Sequence, residues 1–193
     1  MNRRTFIGGG LSLCAGALML PNIFKEIINE SDLLEMELES GIVSIHLFSD
    51  LAPRHVERIK TLVQARFYDG MPFARVMKDF MAQTGDPKST TRIDFQKLPA
   101  LSAEFSNLPF ERGTVGMARS RHPHSATHQF FITTGRARYL DQNYTVLGKV
   151  IAGMERIEQL QSGSHETGAV LNPEVIKSLR LVPVRANKKV SLT

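Results

Sequence analysis

The stretch Leu33–Phe48 reads LLEMELESGIVSIHLF, and its alternation sets the β character of the fold. Apolar residues occupy every second position on both sides of Ser40–Gly41: Leu34, Met36 and Leu38, then Val43, Ile45 and Leu47. Successive side chains of a strand point to opposite faces, so this pattern predicts a β-hairpin with one buried face.

Two later segments have helical spacing instead. Ser49, Asp50 and Pro53 mark a helix start. Apolar residues then recur at helical intervals up to a stop at Asp69–Gly70: Val56, Ile59, Leu62, Val63 and Phe67. A second helix is expected after Gly153, with Met154, Ile157 and Leu160 on one stripe and Gly163 ending it.

The rest of the chain consists of short strand-like runs broken by turns. These runs are PFARVM, FMAQTG, GTVGMA, QFFITT, YTVLGKV and VIKSLRLVPV. Many short strands with only two helices predict a mainly β domain, a closed eight-stranded antiparallel β-barrel capped by two α-helices.

Composition limits the classes of protein that fit. The 193 residues suffice for one domain with a sizeable core, and 42% hydrophobic with 22% charged residues is an ordinary globular mixture. The net charge of +5 is scattered along the chain, whereas nucleic-acid-binding proteins concentrate their cations in a patch. Nucleic acid is therefore not an expected partner.

Residues 1–30 have the pattern of an export signal. Paired Arg3 and Arg4 precede an uncharged apolar run from Phe6 to Leu20, which at 15 residues is shorter than the roughly 20 of a membrane-spanning helix. RRTFI resembles the twin-arginine export signal, and an ordinary secretory signal or an uncleaved anchor are the alternatives. The working domain, residues 31–193, is thus expected in the periplasm or exported, with membrane contact only through an uncleaved N-terminus.

The stretch Phe73–Asp86, FARVMKDFMAQTGD, places a permanent cation among apolar side chains. Arg75 cannot lose its proton, so it is no acid–base catalyst but a fixed donor. Gln83 lies two residues beyond Met81 and shares its strand face. Such donors at an apolar pocket suit a compact, uncharged group that carries an amide, such as proline. The alternative is a core strand with an incidental surface arginine.

Four segments together resemble the cyclophilin family of peptidyl-prolyl isomerases. FARVMKDFMAQTGDP, GTVGMARS, HQFFITT and YLDQNYTVLGKVIAGME occur in the order and at about the spacing of that family. The resemblance extends from about Leu34 to Val182. It implies a cyclophilin-like domain of the exported bacterial kind that rotates X-Pro bonds and assists folding; the alternative is a proline-binding chaperone module with little turnover.

The resemblance also implies the site residues. It assigns catalysis to Arg75, Phe80, Met81 and Gln83, and substrate binding to Ala118, Arg119, Gln129, Phe131, Tyr139, Leu140 and Tyr144. The chain departs from many eukaryotic members at Tyr139, where they have tryptophan, and at Tyr144, where they have histidine. It also has His128 where serine is common.

No cofactor or metal is expected, and the chain is expected to be a monomer. His122, His124 and His128 are spaced so that they could recruit zinc or copper, but no neighbouring carboxylate or cysteine completes a ligand set. Hydrolase chemistry is not indicated, because the chain has no G-x-S-x-G elbow and its one cysteine, Cys14, lies in the signal.

Overall fold

A computed structural model describes residues 32–86 and 97–182 of the chain. The predicted hairpin is confirmed as β1 (Leu33–Leu38) and β2 (Gly41–Leu47). Met36 lies opposite Val43 in an antiparallel register, and both side chains are fully buried. The alternating pattern of the sequence therefore corresponds to one core-facing side of the hairpin.

Each of the six other strand-like runs corresponds to a strand, although β7 extends two residues beyond its predicted run. These are β3 (Arg75–Met77), β4 (Met81–Thr84), β5 (Thr114–Met117), β6 (Phe130–Thr133), β7 (Val146–Ala152) and β8 (Ser178–Leu181). All the strand pairs are antiparallel, and the sheet order is β3-β4-β6-β5-β7-β2-β1-β8.

Both predicted helices are present but shorter than expected. α1 (Pro53–Gln64) ends before the predicted stop because Arg66 adopts a left-handed φ of 56°, which breaks the helical path. α2 (Met154–Glu158) ends early because the backbone N–H of Leu160 bonds to the carbonyl of Ile157, three residues back. A short 3₁₀ turn at Arg138–Leu140 has no counterpart in the predictions.

The sheet is curled rather than closed, so the prediction of a closed barrel was overstated. Among the described residues, its end strands β3 and β8 are not paired with each other. The segment 168–176 instead bonds residues 70–76 through their backbones, with bridges between Pro72 and Val175 and between Arg75 and Ala169. Pro173 lacks an N–H, so a regular strand cannot continue through this segment.

Two apolar clusters form on the opposite faces of β4 and β6. Ala82 and Ile132 belong to the larger cluster, which also contains the buried side of α1. Met81 and Phe131, each one position away, belong to a smaller cluster with Phe110 and others. The period-two alternation of the strands thus separates the structural core from a second apolar surface.

Several predictions fall on residues that the structure does not describe. These are the export signal in residues 1–30 and the end of the predicted domain from position 183 onward; residues 87–96 also lie outside the described ranges. Within residues 32–86 and 97–182, none of the helices has the length and apolar character needed to cross a membrane.

Candidate active site

The register of three strands places the central side chains of the site in one row. Arg75 on β3 lies opposite Gln83 on β4, and Gln83 lies opposite Phe131 on β6. Paired residues in an antiparallel sheet present their side chains to the same face. The cation, the amide and the aromatic ring therefore meet although Arg75 and Phe131 are far apart in the sequence.

Three acceptors orient the Arg75 guanidinium. Its Nε donates to the Thr167 carbonyl at 2.9 Å, its Nη1 to Gln83 Oε1 at 3.4 Å and its Nη2 to Met77 Sδ at 3.1 Å. Because these acceptors lie on β3, on β4 and in the segment before β8, the planar fork is held from several directions. A donor fixed in this way needs little reorganisation when it meets a substrate.

Gln83 links this cation to the next part of the site. Its amide oxygen accepts from Arg75, and its amide nitrogen donates to Gln129 Oε1 at 2.8 Å. Using both ends of the amide fixes the orientation of Gln83. Arg75, Gln83 and Gln129 thus form one hydrogen-bonded chain along the edge of the apolar surface.

The apolar part of the site is a pocket with an aromatic floor. Met81, Phe131 and Leu140 line it and are each at most 4% exposed. Phe110 stacks against Phe131 with ring centroids 5.7 Å apart, and Tyr144 meets the same ring edge-on at 5.8 Å. These contacts hold Phe131 in place from two directions.

Arg119 also lines the pocket. Its guanidinium carbon lies 4.2 Å from the centre of the Tyr144 ring, a cation–π arrangement. The same side chain donates to the carbonyls of Ser120, Arg121 and Asn143. Arg119 therefore joins the loop after β5 to the loop before β7 and keeps Tyr144 in position.

The chemistry available in this pocket is binding and hydrogen-bond donation. The described residues that line it include no carboxylate, thiol or imidazole. The Arg75 guanidinium stays protonated at any accessible pH, and the Gln83 amide does not titrate. The pocket can hold a neutral ring and direct a fixed N–H at it, without proton transfer by a side chain.

Residues 33–181 match the family model described as cyclophilin type peptidyl-prolyl cis-trans isomerase/CLD. The chain belongs to this family. Its fold and its enzymatic activity are those of a cyclophilin-type peptidyl-prolyl cis-trans isomerase.

Relatives of this cyclophilin carry the corresponding names. A probable peptidyl-prolyl cis-trans isomerase of Brucella suis is 46% identical over 152 residues, covering 73% of this chain and 78% of the relative. A peptidyl-prolyl cis-trans isomerase of Acinetobacter baylyi is 31% identical over 165 residues, covering 83% and 82%. A peptidyl-prolyl cis-trans isomerase-like 3 of Gallus gallus is 35% identical, covering 76% and 93%.

Solved structures agree with this cyclophilin in fold. The crystal structure of cyclophilin AquaCyp293 from Hirschia baltica has a TM-score of 0.67 at 24% identity, covering 83% of this chain and 77% of that one. A Cryptosporidium parvum cyclophilin type isomerase, crystallised in the presence of the dipeptide Ala-Pro, has the same TM-score at 23% identity and covers 77% and 98%.

The structure brings together nine of the eleven site residues that the sequence predicts for this cyclophilin. The nine that line one cavity are Arg75, Phe80, Met81, Gln83, Ala118, Arg119, Phe131, Leu140 and Tyr144. Gln129 lies next to it, bonded to Gln83 and lining two adjoining grooves. Tyr139 is 65% exposed at the rim, with its ring tilted against Phe80 at 5.4 Å.

Among the residues that contact the predicted site, Met77, Phe110 and Thr167 were missed in the sequence. Met77 was identifiable, because it lies two positions from Arg75 on the same strand. Phe110 and Thr167 lie in irregular segments whose position depends on the folded chain. No local pattern could have indicated that the Thr167 carbonyl accepts from Arg75.

The three histidines considered as metal ligands, His122, His124 and His128, do not form one ligand group in the part of the chain that the structure describes. His128 is 6% exposed, contacts the Phe67 ring edge-on at 5.6 Å, and has a pKa lowered by burial. His122 and His124 lie on the surface, where each Nδ1 accepts a backbone N–H, from His124 and Ala103 respectively. Within the described ranges, no three His, Cys, Asp or Glu side chains form a group that could hold a metal ion.

Proposed function

We propose that this cyclophilin rotates X-Pro bonds with the proline ring in the apolar pocket and with Arg75 as the donor to the proline nitrogen. The observation that supports this role is the orientation of the guanidinium by Thr167, Gln83 and Met77 at the rim of the pocket. A guanidinium has five N–H groups, and these three contacts leave donors available for a substrate.

The physics of the bond explains why such a donor suffices. Resonance of the C–N bond creates a barrier of about 18–20 kcal/mol, and twisting the bond localises a lone pair on the proline nitrogen. A guanidinium aimed at that nitrogen bonds the twisted amide better than the planar one. This is preferential binding of the transition state, which is what lowers a barrier.

The remaining residues of the site take supporting roles in this proposal. Phe131, Met81 and Leu140 hold the ring still, while Gln83 holds the carbonyl of the substrate. The backbone at Ala118 and Arg119 pairs with the residue before proline, and Tyr139 contacts the substrate from the rim. Proline-containing polypeptides are the proposed substrates, supported by the Ala-Pro dipeptide present with the Cryptosporidium parvum relative.

Replacing Arg75 by lysine tests this mechanism. Arg75→Lys keeps a cation but loses the planar fork, so kcat/KM for a short X-Pro peptide should fall by roughly a hundredfold, or about 3 kcal/mol. Exchange between the cis and trans peptide can be followed by NMR at several peptide concentrations. The binding affinity for the peptide should change much less than the rate.

Arg138→Lys is the matched control, because Arg138 lies on the exposed turn beside the site and does not line the pocket. It should isomerise at the parent rate. An Arg75→Lys protein that folds and retains the parent rate would contradict the assigned role. A parent protein that binds the peptide without accelerating exchange would support the alternative function, a chaperone module with little turnover.

We further propose that this isomerase acts as a monomer on exported proteins, in the periplasm or at the outer face of the inner membrane. The paired Arg3 and Arg4 before an apolar run support this location. Fractionation of cells that produce the full chain tests it. Arg3→Lys with Arg4→Lys should retain the protein in the cytoplasm if the twin-arginine route is used, and unchanged fractionation would exclude that route.

A further inference from the structure

Met77 differs from the other methionines that the structure describes. Five of the six in residues 32–86 and 97–182 are at most 7% exposed: Met36, Met71, Met81, Met117 and Met154. Met77 is only partly buried. Its sulfur is also the one that bonds the proposed catalytic guanidinium, at 3.1 Å from Arg75 Nη2.

The surroundings of Met77 leave its side chain little freedom to move away from Arg75. Met77 packs against the apolar cluster under the site and lies opposite Met81 in the strand register. The backbone at Gly168 also lies close to the Met77 side chain. A Cβ at Gly168 would lie 2.6 Å from Met77 Cγ and 3.1 Å from Arg75 Cγ. The thioether is therefore held where a change at sulfur is transmitted to the guanidinium.

We propose that Met77 is a site of reversible oxidation by peroxides that lowers the isomerase activity. In this step the thioether sulfur attacks one oxygen of hydrogen peroxide and the O–O bond breaks. The sulfur gives up two electrons and gains one oxygen, forming the sulfoxide, and the other peroxide oxygen leaves as water with both protons. Methionine sulfoxide reductases reverse the change.

Oxidation changes the partner that Arg75 meets. A thioether sulfur is a weak acceptor, whereas the sulfoxide is polar and its oxygen accepts strongly. An oxygen added on the side that faces Nη2 does not fit within the present 3.1 Å, so the guanidinium must shift and rebind. This consequence rests on the proposed role of Arg75. A displacement of about 1 Å in a positioned group costs roughly a hundredfold in rate.

The test uses the full chain in a Cys14→Ser background, so that no thiol reacts. The protein is treated with limiting hydrogen peroxide, quenched with free methionine, and digested for mass spectrometry. The peptide that contains Met77 should gain one oxygen before the peptides that contain the five buried methionines. The kcat that remains after peroxide should be proportional to the fraction of unoxidised Met77, and KM should be nearly unchanged. Treatment with methionine sulfoxide reductase should restore kcat.

Two replacements remove the sulfur, Met77→Leu and Met77→Ile, and each is compared with its own untreated rate. Both should keep most of that rate after peroxide, whereas Met154→Leu, which removes a buried methionine in α2, should lose activity as the parent does. Oxidation of any of the five buried methionines before Met77, or equal peroxide sensitivity in a folded Met77 variant, would overturn the proposal. The isomerase rate of the untreated parent protein tests the proposed function independently of the oxidation proposal.

Discussion

Arg75 is held by contacts that lysine cannot reproduce, because three of its N–H groups point at three separate acceptors. Its charge and the neutrality of Gln83 do not change with pH in the accessible range. Of the histidines near the substrate groove, His128 is buried against Phe67 rather than lining the pocket. The site therefore has no side chain that should titrate near neutrality and control the rate.

We accordingly expect an isomerase rate that is nearly flat between about pH 6 and pH 9, in contrast to the bell-shaped profile of general acid–base catalysis. Burial lowers the pKa of His128 from its ordinary value, and its side chain does not line the pocket, so its protonation should not control the rate. The measurement is kcat/KM for one X-Pro peptide across the range, for the parent and for His128→Ser. A steep sigmoid near pH 6.5 in both proteins would show that an unassigned titrating group takes part.

At the scale of elements, α1 depends on a residue from another part of the chain. Ala52 at its N-terminus offers no side-chain cap, and its first turn has no acidic residue. Glu104, 50 residues from Arg54, accepts backbone N–H bonds from Arg54 at 3.2 Å and His55 at 3.0 Å, and contacts His55 Nδ1 at 2.6 Å. Its carboxylate satisfies donors that a helix start leaves free and favours the positive end of the helix dipole.

Glu104→Ala should therefore lower the free energy of unfolding by about 2–3 kcal/mol, the scale of a lost cap together with hydrogen bonds to a charged acceptor. Urea unfolding measures this loss. The matched control is Glu158→Ala, which removes an exposed carboxylate paired with Arg112 and should cost about 1 kcal/mol or less. Equal losses in the two variants would contradict the capping role.

The pairing of β5 with β6 sets the position of the pocket floor. Gly116 lies opposite Phe131 in the register, and a Cβ at Gly116 would lie 2.4 Å from Phe131 Cζ and 2.6 Å from Phe110 Cε1. Such distances are too short for carbon atoms, so an added methyl group must displace the stacked rings. Glycine at this position is required by the packing of the rings.

Gly116→Ala should thus destabilise the protein by about 1–3 kcal/mol, the typical cost of overpacking a core. Because Phe131 lines the pocket, KM for the X-Pro peptide should rise as well. Steady-state kinetics below the unfolding temperature separate the two effects. A Gly116→Ala protein with the parent KM and the parent stability would show that the rings can move freely.

At the scale of the whole molecule, two buried histidines make the fold sensitive to acid. His55 is fully buried and His128 is 6% exposed. In both cases desolvation by burial lowers the pKa from its ordinary value of 6.5, in opposition to Glu104 and Asp86 respectively. The unfolded chain then binds more protons than the folded one at mildly acidic pH.

The free energy of unfolding should therefore be highest above about pH 6.5, the ordinary pKa of histidine, and should decrease as the pH falls below it. Urea unfolding at several pH values between 7.5 and 5 measures this decrease. His128→Asn should reduce the slope, whereas replacing the exposed His165 should not. A pH-independent unfolding free energy over this interval would contradict the assignment.

The strands and the core-facing residues were predictable because they follow from local periodicity. The alternation in β1 and β2 is a property of neighbouring residues, and it predicted which side chains are buried. The family resemblance supplied the candidate site residues by matching motifs. The predicted ends of the two helices were less accurate, because the left-handed conformation of Arg66 and the tight turn at Leu160 depend on tertiary packing.

The sequence by itself determined the β character, the core pattern, the family and the residues proposed for the site, since these depend on the order and chemistry of neighbouring residues. Only the tertiary structure decided which acceptors orient Arg75, where His128 faces, and how the sheet edge meets the segment before β8. Each of these joins residues far apart in the chain. Their distances are fixed by the packing of the whole fold, which no local pattern records.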